Sequence, residues 1–210
     1  LRSRTVYGMM MVGQGDADGL LGGLSTPYQS TIRPALQVLG KAENVSVISG
    51  VYVMLFNGRR FYFGDCTCNV DPGSEALAQI AQNTATVARE FGDTPKAALL
   101  SYSDFGVNRS YPGVDTVAEA VAIIRASDPE LVVDGEMQAD TAVNRQRALA
   151  DFPFSQILGD ANVLIFPNLA SGNIAYKLLR ELGGATAVGP ILVGLPRPVN
   201  VLALGATVDD

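Results

Sequence analysis

The chain has 210 residues, 48% of them hydrophobic and 17% charged, with a formal net charge of −6, two cysteines and no histidine. This length holds one large domain or two small ones with a well-filled core, and the acidic balance argues against a general nucleic-acid partner, which needs clustered Lys and Arg. Without histidine, Ser-His-Asp hydrolysis, Cys-His proteolysis and His-ligated zinc are excluded within the chain, and no apolar run reaches the roughly 18 residues of a membrane span.

The first residues, Leu1-Arg2-Ser3-Arg4, show no secretory signal pattern, and the first of them is not Met. The expectation is a cytoplasmic domain cut from a longer protein. Residues 6–13 (VYGMMMVG), 45–56 (VSVISGVYVMLF) and 60–65 (RFYFGD) are predicted as strands, the last two joined at Asn57-Gly58-Arg59 as a hairpin. Residues 74–91 carry Leu77, Ile80, Ala81, Thr84, Val87 and Ala88 on one stripe, which predicts a helix, with Glu75 in its first turn. A strand over 96–102, a loop over 104–114, a helix over 114–126 and a strand over 130–135 follow. The second half continues with a helix over 140–150, a strand over 161–167 and a helix over 171–184 ending at a Gly pair. The last apolar runs are 186–195 and 199–204. This alternation predicts an α/β fold, a mostly parallel sheet flanked by helices.

In such sheets ligands sit beyond the carboxyl ends of the strands. Four predicted strand ends, at 63–69, 100–106, 132–140 and 165–173, are small or polar and together suggest a shared crevice; each alone reads better as an ordinary strand–helix turn. The backbone N–H groups of Ser171-Gly172-Asn173 are candidates for holding an anion at a helix start. Cys66 and Cys68, two apart on one strand face, would make a strained disulfide, so two reduced, largely buried thiols are expected. GQGDADG from Gly13 misses the dinucleotide signature, because its third Gly comes four residues after the second. Isolated carboxylates such as Asp65 and Asp134 are weak evidence for a metal, and none is expected.

Several segments resemble, in order, the phosphate acetyl/butyryltransferase family: STIRPALQVLG (30–40), FGDCTCNVDPGSEALAQIA (63–81), ALLSYSDFG (98–106), LVVDGEMQADTAV (131–143) and the long run 161–202. GMMMVGQGDADGLLGGL near the start, Glu136-Met137 and Asn168 look most like one branch, the C-terminal phosphotransacetylase-like domain of bacterial NADP-dependent malic enzymes. The resemblance implies a phosphotransacetylase and isocitrate-dehydrogenase-like fold of two subdomains with a cleft between them, the second covering roughly 35–155, and an oligomer formed through helices. In active relatives an Asp deprotonates coenzyme A, the thiolate attacks acetyl phosphate, and a Ser-Arg pair steadies phosphate and oxyanion.

Laid on this chain, that family motif puts the Ser at Ala203, the Arg at Leu204, the Gly at Gly205 and the base at Asp210. Arg33 matches the upstream phosphate segment, whereas Pro27, Tyr28 and Ser30 replace its Ser, Thr and Asp. Asp65, Cys66, Asn69, Ser101, Ser103, Asp134, Gln138, Asp140, Gly172 and Asn173 match further cleft residues. Losing a preorganised donor costs about 10²–10³ in rate. The leading expectation is therefore a non-catalytic domain that senses acetyl-CoA and assembles an oligomer, with NADP, a divalent metal and malate oxidation confined to an N-terminal malic-enzyme region. The alternative is an active phosphate acetyltransferase, with Arg33 or Arg197 serving in place of the missing Arg. No cofactor of its own, no nucleic acid and no membrane are expected.

Overall fold

The computed structural model describes residues 3–108, 110, 113–202 and 206. Ser3 opens the first helix, α1 (Arg4–Gln14): its hydroxyl accepts from the Val6 N–H at 3.4 Å, and Gly15, left-handed at φ 84°, closes it. Residues 6–13 are thus helical, not a strand. Met9 and Val12, three apart, form the buried face, and the cap at each end outweighs the β-propensity of Val6 and Tyr7. A short strand, β1 (Leu20–Gly23), leads to α2 (Gln29–Val38), which carries Pro34 in its interior.

The strands β2 (Ser49–Phe56) and β3 (Arg59–Gly64) form the expected hairpin. Asn57 and Gly58 sit at φ 50° and 72°, as a two-residue turn with the twist of its strands requires. After α3 (Ser74–Glu90), β4 (Lys96–Leu100), α4 (Val114–Ser127) and β5 (Val132–Met137), the helix predicted over 140–150 is two pieces, α5 (Ala139–Val143) and α6 (Arg145–Asp151). Asn144 between them is extended, at φ −110° and ψ 102°, and its side chain accepts from the Arg147 N–H to start the second. The chain then forms β6 (Val163–Ile165), α7 (Leu169–Gly183), β7 (Thr186–Val193) and β8 (Val199–Leu202).

The main sheet has six strands in the order β5-β4-β6-β3-β2-β7. The first four run parallel, and β2 is antiparallel to both β3 and β7. Alternate side chains feed two cores, as a sheet covered on both faces demands. Val51, Val53, Tyr62 and Leu99 pack with α3 and α4 on one face; Tyr52, Met54, Phe61, Phe63 and Leu164 pack with Tyr176 of α7 on the other. A small parallel sheet, β1 with β8, gathers α1 and α2 around Met9, Ala35, Val199 and Val201. Because β3, β4, β5 and β6 are parallel, the segments after Gly64, Leu100, Met137 and Ile165 all emerge at one end of the main sheet. Among the described residues no helix is long and apolar enough to cross a membrane.

Candidate active site

The segment after β3 is built around one carboxylate. Asp65 is 3% exposed. Its Oδ1 accepts from the N–H groups of Gly50 at 3.0 Å, Thr67 at 2.9 Å and Cys68 at 3.2 Å. Its Oδ2 accepts from Cys68 N–H at 3.2 Å, Asn69 N–H at 2.8 Å and Asn69 Nδ2 at 2.6 Å. The acid therefore supplies the acceptors that an irregular buried segment lacks. Asn69 is spent on the same task, since its Nδ2 also donates to the Ile48 carbonyl at 2.8 Å. Asp65 and Asn69 thus hold the loop together, and Asn69 also lines the cleft beside it.

The start of α7 closes over this loop. Asn168 caps the helix, its Oδ1 accepting from the Ser171 N–H at 3.0 Å. The helix thus begins two residues earlier than predicted, and the Ser171 N–H expected to be open to an anion is already satisfied by the cap. A Cβ on Gly172 would stand 3.0 Å from the Asp65 carbonyl and 3.1 Å from the Cys66 sulfur, so Gly172 serves close packing. Asn173 donates from Nδ2 to the Cys66 carbonyl at 3.2 Å.

Beside the loop opens a cleft of about 650 Å³. Loop 66–70, Tyr28, Gln29, Ile32 and Leu36 from the α2 segment, Tyr52, Asn173, Tyr176, Pro190 and the end of β8 line it. No charged side chain is among these residues. The Tyr28 hydroxyl lies 3.1 Å from Thr67 Oγ1, and the Tyr52 and Tyr176 rings stack at 4.2 Å. Burial pushes the Cys68 thiol up to about 12, with the Asp65 charge adding to it, and lifts the Cys66 thiol well above its usual range. Both cysteines are free and, at neutral pH, protonated. Burial likewise raises Tyr28 and Tyr52. Among the described residues the lining of the cleft is thus uncharged. Its far wall, Val201 and Leu202, leads directly into the segment where the sequence puts the acyl-transfer motif.

A second cavity of about 490 Å³ lies at the carboxyl ends of β4 and β6, lined in part by Asp71, Ser101, Tyr102, Thr116 and Asn168. Of the residues expected at this end, only Ser101 reaches the cavity. Ser103 is fully buried, its hydroxyl 3.3 Å from Glu136 Oε1. Asp134 is buried and bonded throughout: Oδ1 accepts from Arg125 at 2.8 Å, and Oδ2 from Ser155 Oγ and Gln156 N–H at 2.9 Å each. The Gln138 N–H donates to Asp104 at 2.8 Å, and Asp140 pairs with Arg147. Asp134 and Ser103 therefore hold the fold. Arg33 is exposed on α2 and lines a shallow groove that shares Gln29, Ile32 and Leu36 with the neutral cleft. The calls on Ala203, Leu204, Gly205 and Asp210 lie outside the described residues. Among the described residues no cluster of three or more Cys, Asp or Glu is placed to hold a metal.

The sequence reading missed Tyr52, Thr67, Tyr176 and Pro190. The first three sit at the cleft only because β2, the 65–69 loop and α7 converge there, a relation between distant segments that no local pattern carries.

The doubly covered, mainly parallel sheet with its ligand-sized openings at the strand ends defines an α/β protein. A family model described as phosphate acetyl/butaryl transferase matches residues 1–210, and the chain belongs to that family. The phosphate acetyltransferase of Corynebacterium glutamicum is 43% identical over 210 residues, 100% of this chain and 64% of that protein. The one from Bacillus subtilis is 42% identical, over 100% of this chain and 65% of that protein. The crystal structure of a phosphotransacetylase from Streptococcus pyogenes superposes with a TM-score of 0.94 at 42% identity, covering 98% of this chain and 63% of the other. The chain thus spans just under two thirds of the length of these relatives.

These relatives overturn the expected malic-enzyme branch. Curated proteins that match the whole chain at 42–43% identity are phosphate acetyltransferases. The non-catalytic acetyl-CoA sensor and the oxidoreductase and malic-enzyme assignments go with it. Short matches such as Glu136-Met137 and Asn168 did not carry branch information: Glu136 and Asn168 serve as a buried acceptor and a helix cap, roles any member of the fold can use.

Proposed function

We propose that the chain carries the acyl-transfer site of a phosphate acetyltransferase, exchanging an acetyl group between coenzyme A and inorganic phosphate. The observation that carries the reading is the identity of 42–43% to phosphate acetyltransferases along its whole length. The neutral cleft supports it, since an acetyl thioester end needs an uncharged, largely apolar wall. In the direction of acetyl-CoA synthesis, a base takes the thiol proton of coenzyme A and the thiolate adds to the carbonyl carbon of acetyl phosphate. The C–O bond then breaks, and phosphate leaves with its electron pair. Asp210 is the residue proposed as base, by its place in the family motif. A thiol with an ordinary value near 8.5 needs such a partner at neutral pH.

Leu204 stands where active relatives keep an Arg, so the reading assigns the phosphate cation to Arg33, beside the cleft, or to Arg197, shortly before β8. The same reading takes the chain as two subdomains with a cleft between them, the second over roughly residues 35–155. Two free thiols fit a reducing compartment such as the cytoplasm. The test is coenzyme A-dependent formation and consumption of acetyl phosphate by the purified chain. Turnover on the order of 10 s⁻¹ is expected of an ordinary enzyme. Replacing the working Arg by Ala should lower it about 10²–10³-fold. No turnover above the uncatalysed exchange, or full activity in both Arg33→Ala and Arg197→Ala, refutes the respective part of the reading.

A further inference from the structure

Glu136 lines neither the neutral cleft nor the cavity at the strand ends, yet it is only 1% exposed. A carboxyl side chain is rarely so buried without a task. Its Oε1 accepts from Ser103 Oγ at 3.3 Å and from the Gly106 N–H, while its carbonyl accepts from the Phe105 N–H at 2.8 Å. Ser103 Oγ, donating to Glu136, accepts in turn from the Asn108 N–H at 3.1 Å. Ser103, Phe105 and Gly106, and through Ser103 also Asn108, are therefore fastened to Glu136 of β5. Ser101 and Asp104 of the same segment are held separately, by Ser101 N–H on the Met137 carbonyl at 2.9 Å and Gln138 N–H on Asp104 Oδ1 at 2.8 Å. The same segment presents Ser101 and Tyr102 to the cavity.

We infer that Glu136 is a positioning residue: its buried carboxylate fixes the rim 101–108, and through the rim the wall of the cavity at the ends of β4 and β6. It acts as an acceptor for two donors at fixed places; a charge at the reacting atoms is not required of it. The kinetic consequence rests on the acyl-transfer reading above, whereas the structural consequence does not.

The experiment compares Glu136→Ala, Glu136→Gln and Ser103→Ala in the whole chain, by steady-state kinetics and by amide hydrogen exchange at Gly106 and Asn108. Glu136→Ala should raise KM for coenzyme A, the larger substrate, by about tenfold while kcat changes less than about threefold. Exchange at both amides should quicken by at least about tenfold. Glu136→Gln keeps an oxygen that accepts from both donors and should restore KM and protection alike. Ser103→Ala should release Asn108 and leave Gly106 protected. Wild-type KM and exchange in Glu136→Ala, or a Gln variant no better than Ala, overturns the inference. Should Glu136→Ala fail to fold, Ser103→Ala decides, and unchanged exchange at Asn108 refutes the link. A wild-type chain without turnover would sink the acyl-transfer reading, while the exchange data would still judge Glu136.

Discussion

Replacing Asp65 by Ala removes the acceptor around which the cleft loop is folded. Five donors converge on this carboxylate: the N–H groups of Gly50, Thr67, Cys68 and Asn69, and the Asn69 amide. A hydrogen bond to a charged acceptor contributes about 1.5–3 kcal/mol, and a donor stranded in the interior loses its full hydration. The Gly50 pair is buried, so it should count in full; the other four lie at a half-buried rim, where water partly replaces the lost partner. A loss of about 3–5 kcal/mol follows, a large share of the roughly 5–15 kcal/mol that holds a domain together. Asp65→Asn should lose about half as much, because one oxygen still accepts while the new amide faces the Asn69 donors. Urea unfolding of the three proteins at equal slope reads these differences directly. A loss below about 1 kcal/mol for Asp65→Ala would mean that packing, not the carboxylate, organises the loop.

Gly172→Ala sets about 1 kcal/mol of gained helix propensity against an overpacking cost of about 1–3 kcal/mol. Because the nearest obstacle is the Asp65 backbone carbonyl at 3.0 Å, the cost should win, giving a net loss of about 1 kcal/mol in thermal unfolding; a stabilised variant would contradict the packing argument. Cys68 should resist alkylation of the native protein at neutral pH and show no thiolate absorbance until well above its ordinary 9.0, since its folded value is raised to about 12. A raised value means that the unfolded chain deprotonates first. The stabilising contribution is therefore full below about 9 and is lost as the pH rises toward about 12, and Cys68→Ala should flatten this alkaline decline. At the other end, the hydrogen bonds from Arg60 and then Tyr62 hold the Asp93 carboxyl below its ordinary 3.8. Its contribution is present above that value and disappears as the pH falls through the lowered one. The stability gap between wild type and Asp93→Asn should accordingly narrow in acid, and a gap constant with pH would show that the ion pair is not its source.

Much of this architecture was legible in the sequence because its signals are local. The β-rich apolar runs of β2 and β3, the Asn57-Gly58 turn and the stripe of α3 each lie within a short window and met no competing signal. The first helix was not legible by composition: Val6, Tyr7 and three consecutive Met look strand-like, and only the caps at Ser3 and Gly15 decide otherwise. Asn144 hid a break in a seemingly continuous helix, because a good helix N-cap is also an unremarkable surface residue. The candidate site divided in the same way. Cys66, Asn69, Ser101 and Asn173 do reach the openings at the strand ends. Asp65, Ser103 and Asp134 do not, because a polar residue at a strand end serves backbone satisfaction as readily as ligand binding, and sequence alone does not distinguish the two. The family was legible from long motifs, the branch within it was not.

The cleft has a consequence for the order of folding. Its walls join strands from opposite ends of the chain: β2 pairs with β7, and β1 with β8. Such distant pairings close large loops and form slowly compared with hairpins and helix–strand units. The four parallel strands and their helices, β3 through α7, pair among themselves, with β2 joined to β3 by the hairpin, and can condense first. The wall carrying Pro190, Val201 and Leu202 is drawn in only when the final segment has emerged and found partners made near the beginning. Until then the apolar face of β2, with Tyr52 beside the thiols of the 65–69 loop, waits uncovered, so this is the surface at which an interrupted or truncated chain should first associate with others.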